Sequence, residues 1–201
     1  MGFSVLIDIA GSAIVGGILL LTLFRMNDNA TQNTYNFGGE LILQENMVTT
    51  VEVIEYDFRK IGYCENPFKI LDPSRAILKA DTSSITYLTD VDFDGKVDTV
   101  KYDLGSADEL TSTPNPNDKM LYRIVNGNST GVNLGVTYFK IRYFDVLNNE
   151  LTPPLSVPTG IASMQIDVEV QNTAAYNAGE NPYRQAFWRQ IRLASRNLNN
   201  R

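Results

Sequence analysis

The most pronounced feature of the hydrophobic pattern is an apolar stretch at the start of the chain. Residues Ile9 to Phe24 carry no charge, and with Asp8 as the exception the apolar run reaches back to Phe3. At about 1.5 Å per helical residue, roughly 22 residues span ~33 Å, which is enough to cross a bilayer core of about 30 Å. The pattern predicts a single membrane helix over residues 1–26, with a cleaved signal peptide and a buried core helix as the alternatives.

The pattern changes twice after this segment. Residues 27–39 are polar and end in Gly38 and Gly39, which predicts a linker that interrupts the helix. From Glu40 apolar residues recur at three- and four-residue steps and charged residues occupy the opposite face, which is typical of an amphipathic helix. We expect this second helix to end at Gly62, and its predicted buried stripe is Leu41, Met47 or Val48, Val51, Ile54, Phe58 and Ile61.

The remainder of the chain has the shorter period of β-strands separated by polar turns at 111–118, 126–133 and 147–158. Apolar and polar residues alternate in the fifth predicted strand, which indicates one face in water, whereas the fourth is apolar on both faces and is expected to be central. The fold class is therefore α+β, with one globular domain over residues 40–201 in which an amphipathic helix packs on an antiparallel β-sheet. The six predicted strands are Ser84–Thr89, Lys96–Leu104, Lys119–Val125, Gly135–Asp145, Ile161–Val170 and Gln185–Ala194.

Charge and composition narrow the function classes. The 201 residues carry a net charge of −6, so nucleic acid is not expected as the main partner, because neutralising phosphates requires a basic surface. Histidine is absent and Cys64 is the only cysteine, which removes the commonest general base and any disulfide within the chain. Since no nucleophile motif or phosphate-binding loop occurs either, we expect no catalytic activity, and an enzyme ranks third among the function classes.

The apolar helix has features that suit contact with other helices. Asp8 is costly in lipid, by ~2.5–3.5 kcal/mol on insertion scales, and therefore requires a partner or a functional reason. Small residues follow it, and such residues let neighbouring helices approach closely in a membrane. They are Ala10, Gly11, Ser12, Ala13, Gly16 and Gly17.

The first residues also resemble a known family. The segment Gly2-Phe3-Ser4-Val5-Leu6-Ile7-Asp8 is similar to the Gly-Phe-Thr-Leu-Ile-Glu start of type IV pilins and type II secretion pseudopilins. The resemblance implies that a prepilin peptidase cuts after Gly2 and that Phe3 becomes an N-methylated terminus. It also implies that Asp8 pairs with the terminal amine of a neighbouring subunit in a filament.

The order of later motifs resembles the larger minor pilins and minor pseudopilins over most of the chain. The amphipathic helix ends in Arg59-Lys60-Ile61-Gly62-Tyr63, a strand reads Asp98-Thr99-Val100-Lys101-Tyr102, and the last strand is followed by Arg196-Asn197-Leu198. The resemblance implies a structural subunit, with a minor one favoured, of a type IV pilus-like or type II secretion pseudopilus filament. Its expected partners are other pilin-like subunits and the inner-membrane assembly machinery. The expected location is the inner membrane, crossed once, before assembly and a cell-surface filament afterwards.

One acidic segment has the spacing of a metal site. It follows an EF-hand-like loop with Gly95 at position six, and hard oxygen donors at this spacing favour calcium as the cofactor. Position twelve is Lys101 where a bidentate Glu is expected, so the affinity should be weak, and the alternative is a solvated hairpin turn. If calcium binds, a stand-alone membrane-anchored extracytoplasmic binding module becomes the rival of the filament subunit. The donors at positions one, three, five, seven and nine are Asp90, Asp92, Asp94, the carbonyl of Lys96, and Asp98.

Overall fold

A computed structural model describes residues 2–155, 158–172, 183 and 185–193. Its first element, α1, is one continuous helix from Gly2 to Arg59. The prediction of an interrupting linker over residues 27–39 is therefore wrong. Gly38 costs about 1 kcal/mol in a helix relative to Ala, but no proline occurs in this segment. The polar side chains also bond back into the helix, since the Thr34 hydroxyl donates to the Ala30 carbonyl at 2.9 Å.

The chain divides into two compact units, Met1–Leu41 and Ile42–Arg201. In the first unit, every side chain from Phe3 to Phe24 is exposed, so this unit by itself does not bury the apolar segment. By length and composition, the N-terminal part of α1 is sufficient to cross a membrane.

In the second unit, residues 42–59 of α1 form an amphipathic helix. The predicted buried stripe is confirmed at Met47, Ile54 and Phe58. The observed stripe starts at Leu43, however, and both Leu41 and Val48 are exposed. The helix ends at Arg59, and the chain turns at Gly62 with φ of +74°. That left-handed conformation is easily adopted only by glycine, which explains why the helical segment stops close to the predicted residue.

Over its described residues, the second unit contains two antiparallel sheets where the sequence suggests one. The strands are β1 Ile77–Ala80, β2 Ser84–Thr89, β3 Asp98–Leu104, β4 Leu121–Val125, β5 Asn128–Val132, β6 Val136–Phe144, β7 Glu150–Leu151, β8 Ser163–Gln171 and β9 Gln185–Leu193. The first sheet has the strand order β1-β2-β3-β4-β5 and the second has the order β7-β6-β8-β9. All six predicted strands are present, and β6 lies inside its sheet as expected. Ala194 and the motif Arg196–Leu198 lie outside the described residues.

Three strands are missing from the sequence prediction, namely β1, β5 and β7. The segment containing β5 is predicted as a loop because its small polar residues show no apolar alternation. It pairs with β4 through a two-residue turn in which Asn126 and Gly127 have φ of +51° and +84°. An Asn-Gly pair is the usual sequence signal for such a hairpin, so this strand was detectable from the turn.

The polar face of β8 is also different from the prediction. Gln165 and Asp167, expected in water, are only 7% and 3% exposed. Asp167 accepts a hydrogen bond from Arg142 Nη2 at 3.1 Å and another from Gln165 Nε2 at 3.1 Å. Burial is tolerated here because the charge is paired and hydrogen-bonded.

The core of the second unit lies between the helix and the sheets. The ring of Phe58 packs against those of Tyr87 and Tyr102, with centroids 5.8 and 5.5 Å apart. The two sheets are linked by hydrogen bonds from β6 to the turn between β1 and β2, where the Tyr143 hydroxyl donates to the Asp81 carbonyl and the Ile141 N–H donates to the Thr82 carbonyl, both at 2.8 Å. The packing of Phe58 holds the end of α1 against β2 and β3, and the loop between these two strands contains the acidic residues.

Candidate functional site

The acidic loop, Asp90 to Asp98, connects β2 to β3, and it brings three of the predicted ligands together. Asp90, Asp92 and Asp98 each offer a carboxylate oxygen, and these oxygens all lie within 4.8 Å of one another. Calcium binds oxygen at 2.3–2.6 Å, so two ligands of one ion are separated by at most about 5 Å. One ion therefore has room to contact all three carboxylates.

Asp94 does not join this group. Asp94 Oδ2 pairs with Lys96 Nζ at 2.6 Å, and Asp94 Oδ1 accepts the Lys96 backbone N–H at 2.8 Å. These hydrogen bonds from Lys96 lower the pKa of Asp94. Gly95, at the sixth position, has φ of +76°, which is the turn conformation expected of a glycine there.

Asp90 is the buried member of the group, with 0% of its surface exposed. Its Oδ2 accepts backbone N–H groups from Glu65 at 3.1 Å and Gly95 at 3.0 Å, whereas Oδ1 is buried without a hydrogen-bond partner among the described residues. Burial by itself raises the pKa of Asp90, but the surrounding backbone N–H donors outweigh it and hold the pKa below its usual value. The carboxylate is therefore charged, and one of its oxygens is unused.

The other two carboxylates are more accessible. Asp98 is half-buried, and its oxygens accept hydrogen bonds from the Val91 N–H at 2.9 Å and from Asn126 Nδ2 at 2.6 Å. Asp92 is exposed, and one of its oxygens accepts the Asp94 N–H at 3.3 Å. Within the described part of the chain, no Lys or Arg forms an ion pair with Asp90, Asp92 or Asp98.

The loop is attached to the end of α1. The Asp90 N–H donates to the Tyr63 carbonyl at 2.8 Å, and Lys60 Nζ donates to the Val91 carbonyl at the same distance. Lys60 Nζ also lies 3.8 Å from the centroid of the Phe93 ring, a cation–π contact. These contacts place the carboxylates beside the helix terminus, which the spacing of acids in the sequence does not reveal.

The predicted processing and assembly residues lie in the first unit. Gly2 and Phe3 begin α1, and Phe3 is 79% exposed. Asp8 is exposed, and no Lys or Arg pairs with it in the described residues. It lies on a helix face that carries small residues, along a shallow groove lined by Ile7, Asp8, Gly11, Ser12, Val15, Gly16 and Leu19.

A buried charged cluster, unnoticed in the sequence, holds the helix of the second unit to the first sheet. Asp57 accepts hydrogen bonds from Arg123 Nε at 2.5 Å, Arg123 Nη2 at 3.2 Å and the Tyr102 hydroxyl at 2.6 Å. Burial and the Asp57 charge raise the pKa of Tyr102, so its hydroxyl stays protonated and donates. The cluster lies beside an apolar groove of about 300 Å³ whose lining includes Val53 and Leu134.

Comparison with known proteins adds no family assignment. No protein-family model matches the chain, and no curated protein is significantly similar to it in sequence. The function is therefore inferred from the residues and contacts described above.

Proposed function

We propose that the protein is a non-catalytic structural subunit of an extracytoplasmic filament, of the type IV pilus or type II secretion pseudopilus kind. The observation that carries this proposal is the exposure of the whole apolar segment from Phe3 to Phe24. Burying apolar surface is worth about 25 cal/mol per Å², so a helix of this kind requires lipid or other helices around it. A filament subunit meets both environments, the inner membrane before assembly and the helices of its neighbours afterwards.

Asp8 supports a filament subunit over a plain anchor. An ionised carboxylate in an apolar surrounding requires a partner, and the described residues of its own chain supply no cation for it. After cleavage behind Gly2, the amine of Phe3 on a neighbouring subunit is a cation of the right charge. The small residues on the same helix face allow the neighbour to approach closely enough for this pairing.

The role within the filament follows from the resemblance of the later motifs. We infer a minor subunit that works with other pilin-like subunits, a prepilin peptidase and the inner-membrane assembly machinery. The second unit then faces outward, where its acidic surface meets the extracytoplasmic medium.

The mature amino terminus tests this proposal. The protein is isolated from cells, and its terminal peptide is analysed by mass spectrometry. We expect a chain that begins at Phe3 and carries a methyl group on its terminal nitrogen. An intact Met1, or a cut beyond residue 20, is incompatible with a prepilin peptidase and contradicts the proposal.

A stand-alone membrane-anchored binding module is the second candidate function. The acidic group Asp90, Asp92 and Asp98 favours it, because a cation site on an anchored domain serves binding without assembly. The two functions differ in whether the apolar helix associates with other subunits.

A further inference from the structure

The three carboxylates of the acidic loop have the geometry of a cation site. Their oxygens are close enough for a single calcium ion, which takes six to eight oxygen ligands in flexible arrangements. Asp92 is exposed and Asp98 is half-buried, so the group is open to solvent on one side. An ion has access from that side, and water molecules there can complete its coordination.

A second observation points to a ligand independently of the number of acids. Asp90 is fully buried, its Oδ2 is occupied by backbone N–H donors, and its Oδ1 has no hydrogen-bond partner in the described residues. A buried carboxylate oxygen without a partner is unfavourable, and native structures rarely leave one unexplained. A cation held with Asp92 and Asp98 would satisfy this oxygen.

We propose that Asp90, Asp92 and Asp98 bind one calcium ion, with Asp90 as the buried ligand and Asp94 outside the site. The sequence assigns Asp94 an equal place, but its pairing with Lys96 removes it from the group. Calcium is favoured over magnesium because magnesium requires a smaller, near-octahedral and largely hydrated shell. The site rests on the geometry of the second unit, and it does not depend on the proposed filament.

The position of the site gives the ion a structural role. Asp90 also binds the segment after α1, through the Glu65 N–H and the Tyr63 carbonyl. Calcium therefore joins the β2–β3 loop to the end of α1. With three carboxylates and no Glu at position twelve, we expect a dissociation constant of roughly 0.1–1 mM, the range of extracellular calcium modules.

The test uses the full-length protein in detergent and calcium chloride as the probe. Binding is measured by isothermal titration calorimetry. Thermal unfolding is compared in about 5 mM calcium, in about 5 mM magnesium and in chelator. This concentration is at least about five times the expected dissociation constant, so most of the sites would be occupied. The informative pair is Asp92→Asn and Asp94→Asn. Both variants remove one negative charge from the same loop, and in both the amide oxygen retains the local turn hydrogen bond.

We expect one calcium ion per chain and a higher melting temperature in calcium than in magnesium or chelator. Asp92→Asn should weaken binding by about tenfold or more, and Asp94→Asn by less than about threefold, because affinity follows the charge of the ligating groups. Asp98→Asn is the second ligand variant and should weaken binding as Asp92→Asn does. A cooperative thermal unfolding transition in chelator verifies that each variant is folded.

Two results would overturn the site. One is the absence of calcium binding and of any calcium-dependent melting shift in the parent protein. The other is an equal loss of affinity in Asp92→Asn and Asp94→Asn, since that outcome assigns the effect to the general charge of the loop. Neither result bears on the mature amino terminus, so the filament proposal is tested separately.

Discussion

At the scale of single residues, Asp118 is a carboxyl group in the interior of the second unit. It is fully buried, and neither side-chain oxygen forms a hydrogen bond within the described residues. Burial raises the pKa of Asp118, and the nearby side chains of Thr113 and Asn133 offset only part of that effect. The folded state therefore holds this proton more tightly than the unfolded chain, in which an Asp has a pKa of about 3.9.

We predict that Asp118→Asn increases stability at neutral pH. A raised folded-state pKa means that the free energy of unfolding falls as pH rises from the unfolded pKa through the folded one. At pH 7 the ionised Asp118 is destabilising, and the neutral amide should raise the free energy of unfolding by about 1 kcal/mol.

Urea unfolding of parent and variant between pH 3 and pH 7 measures this effect. The advantage of the variant should shrink as pH falls and disappear at about pH 3, below the unfolded pKa, where Asp118 is largely protonated in both states. Asp28→Asn is a control, because Asp28 is exposed on α1 and should change stability little. A stability difference that does not vary with pH contradicts the role given to the Asp118 charge.

The cluster of Asp57, Tyr102 and Arg123 shows why some residues escape prediction. Asp57 lies 45 residues from Tyr102 and 66 residues from Arg123 in the sequence. Hydrophobic periodicity identifies Phe58 as buried, but it contains no information on which distant strand supplies a cation to Asp57, the residue before it. Prediction of such a pair requires the order and register of β3 and β4.

At the scale of elements, α1 shows that glycine is a weak reason to end a helix. A Cβ atom added at Gly38 would have no heavy atom of a neighbouring residue within 4 Å. Gly135 is different, because its φ is +74° and an added Cβ would lie 2.2 Å from the Gln171 carbonyl oxygen. The position of Gly38 therefore has room for a side chain. Gly135 is needed because a side chain there would prevent the close approach of β6 to β8.

We predict that Gly38→Ala strengthens α1 by about 1 kcal/mol, since alanine loses less backbone freedom in a helix. Hydrogen exchange of the full-length protein in detergent should show slower exchange of amides near residue 38. Gly135→Ala is the contrasting variant, and it should lower the melting temperature of the second unit. If Gly38→Ala leaves exchange unchanged, the helix does not open locally at this glycine.

The strands were predictable where β-branched and aromatic residues are dense and were missed where strands are short or polar. This enrichment identified β2, β3, β4, β6, β8 and β9, whose apolar residues form the core or pack against it. The alternation of apolar and polar residues failed for the second face of β8, because Asp167 looks solvent-facing until its pairing with Arg142 is known. Polarity in a single sequence does not distinguish a wet face from a buried ion pair.

At the scale of the whole molecule, the acidic loop and the apolar helix were both visible in the sequence, for different reasons. The apolar helix depends only on composition and length. The loop depends on spacing, which identified Asp90, Asp92 and Asp98 but also included Asp94, because spacing carries no information on side-chain pairing with Lys96. The attachment of the loop to the end of α1 required the structure.

Asp8 gives the prediction that concerns assembly. We expect Asp8→Ala to insert into the membrane at least as well as the parent, since the change removes a carboxylate that costs ~2.5–3.5 kcal/mol in lipid. The same change should slow or abolish incorporation into filaments, because the amine of the neighbouring Phe3 loses its partner. Cell fractionation measures insertion, and the amount of the protein in sheared, purified filaments measures incorporation.

The matched control is Asp28→Ala, which removes an exposed acid from the same helix beyond the apolar segment. It should assemble as the parent does. Asp8→Glu examines the register, because Asp8 follows Phe3 by five residues where the pilin motif has four, and a longer side chain should retain part of the incorporation if the amine is the partner. Normal incorporation of Asp8→Ala would favour the membrane-anchored binding module, since a simple anchor gains from losing a charge in lipid and a filament subunit does not.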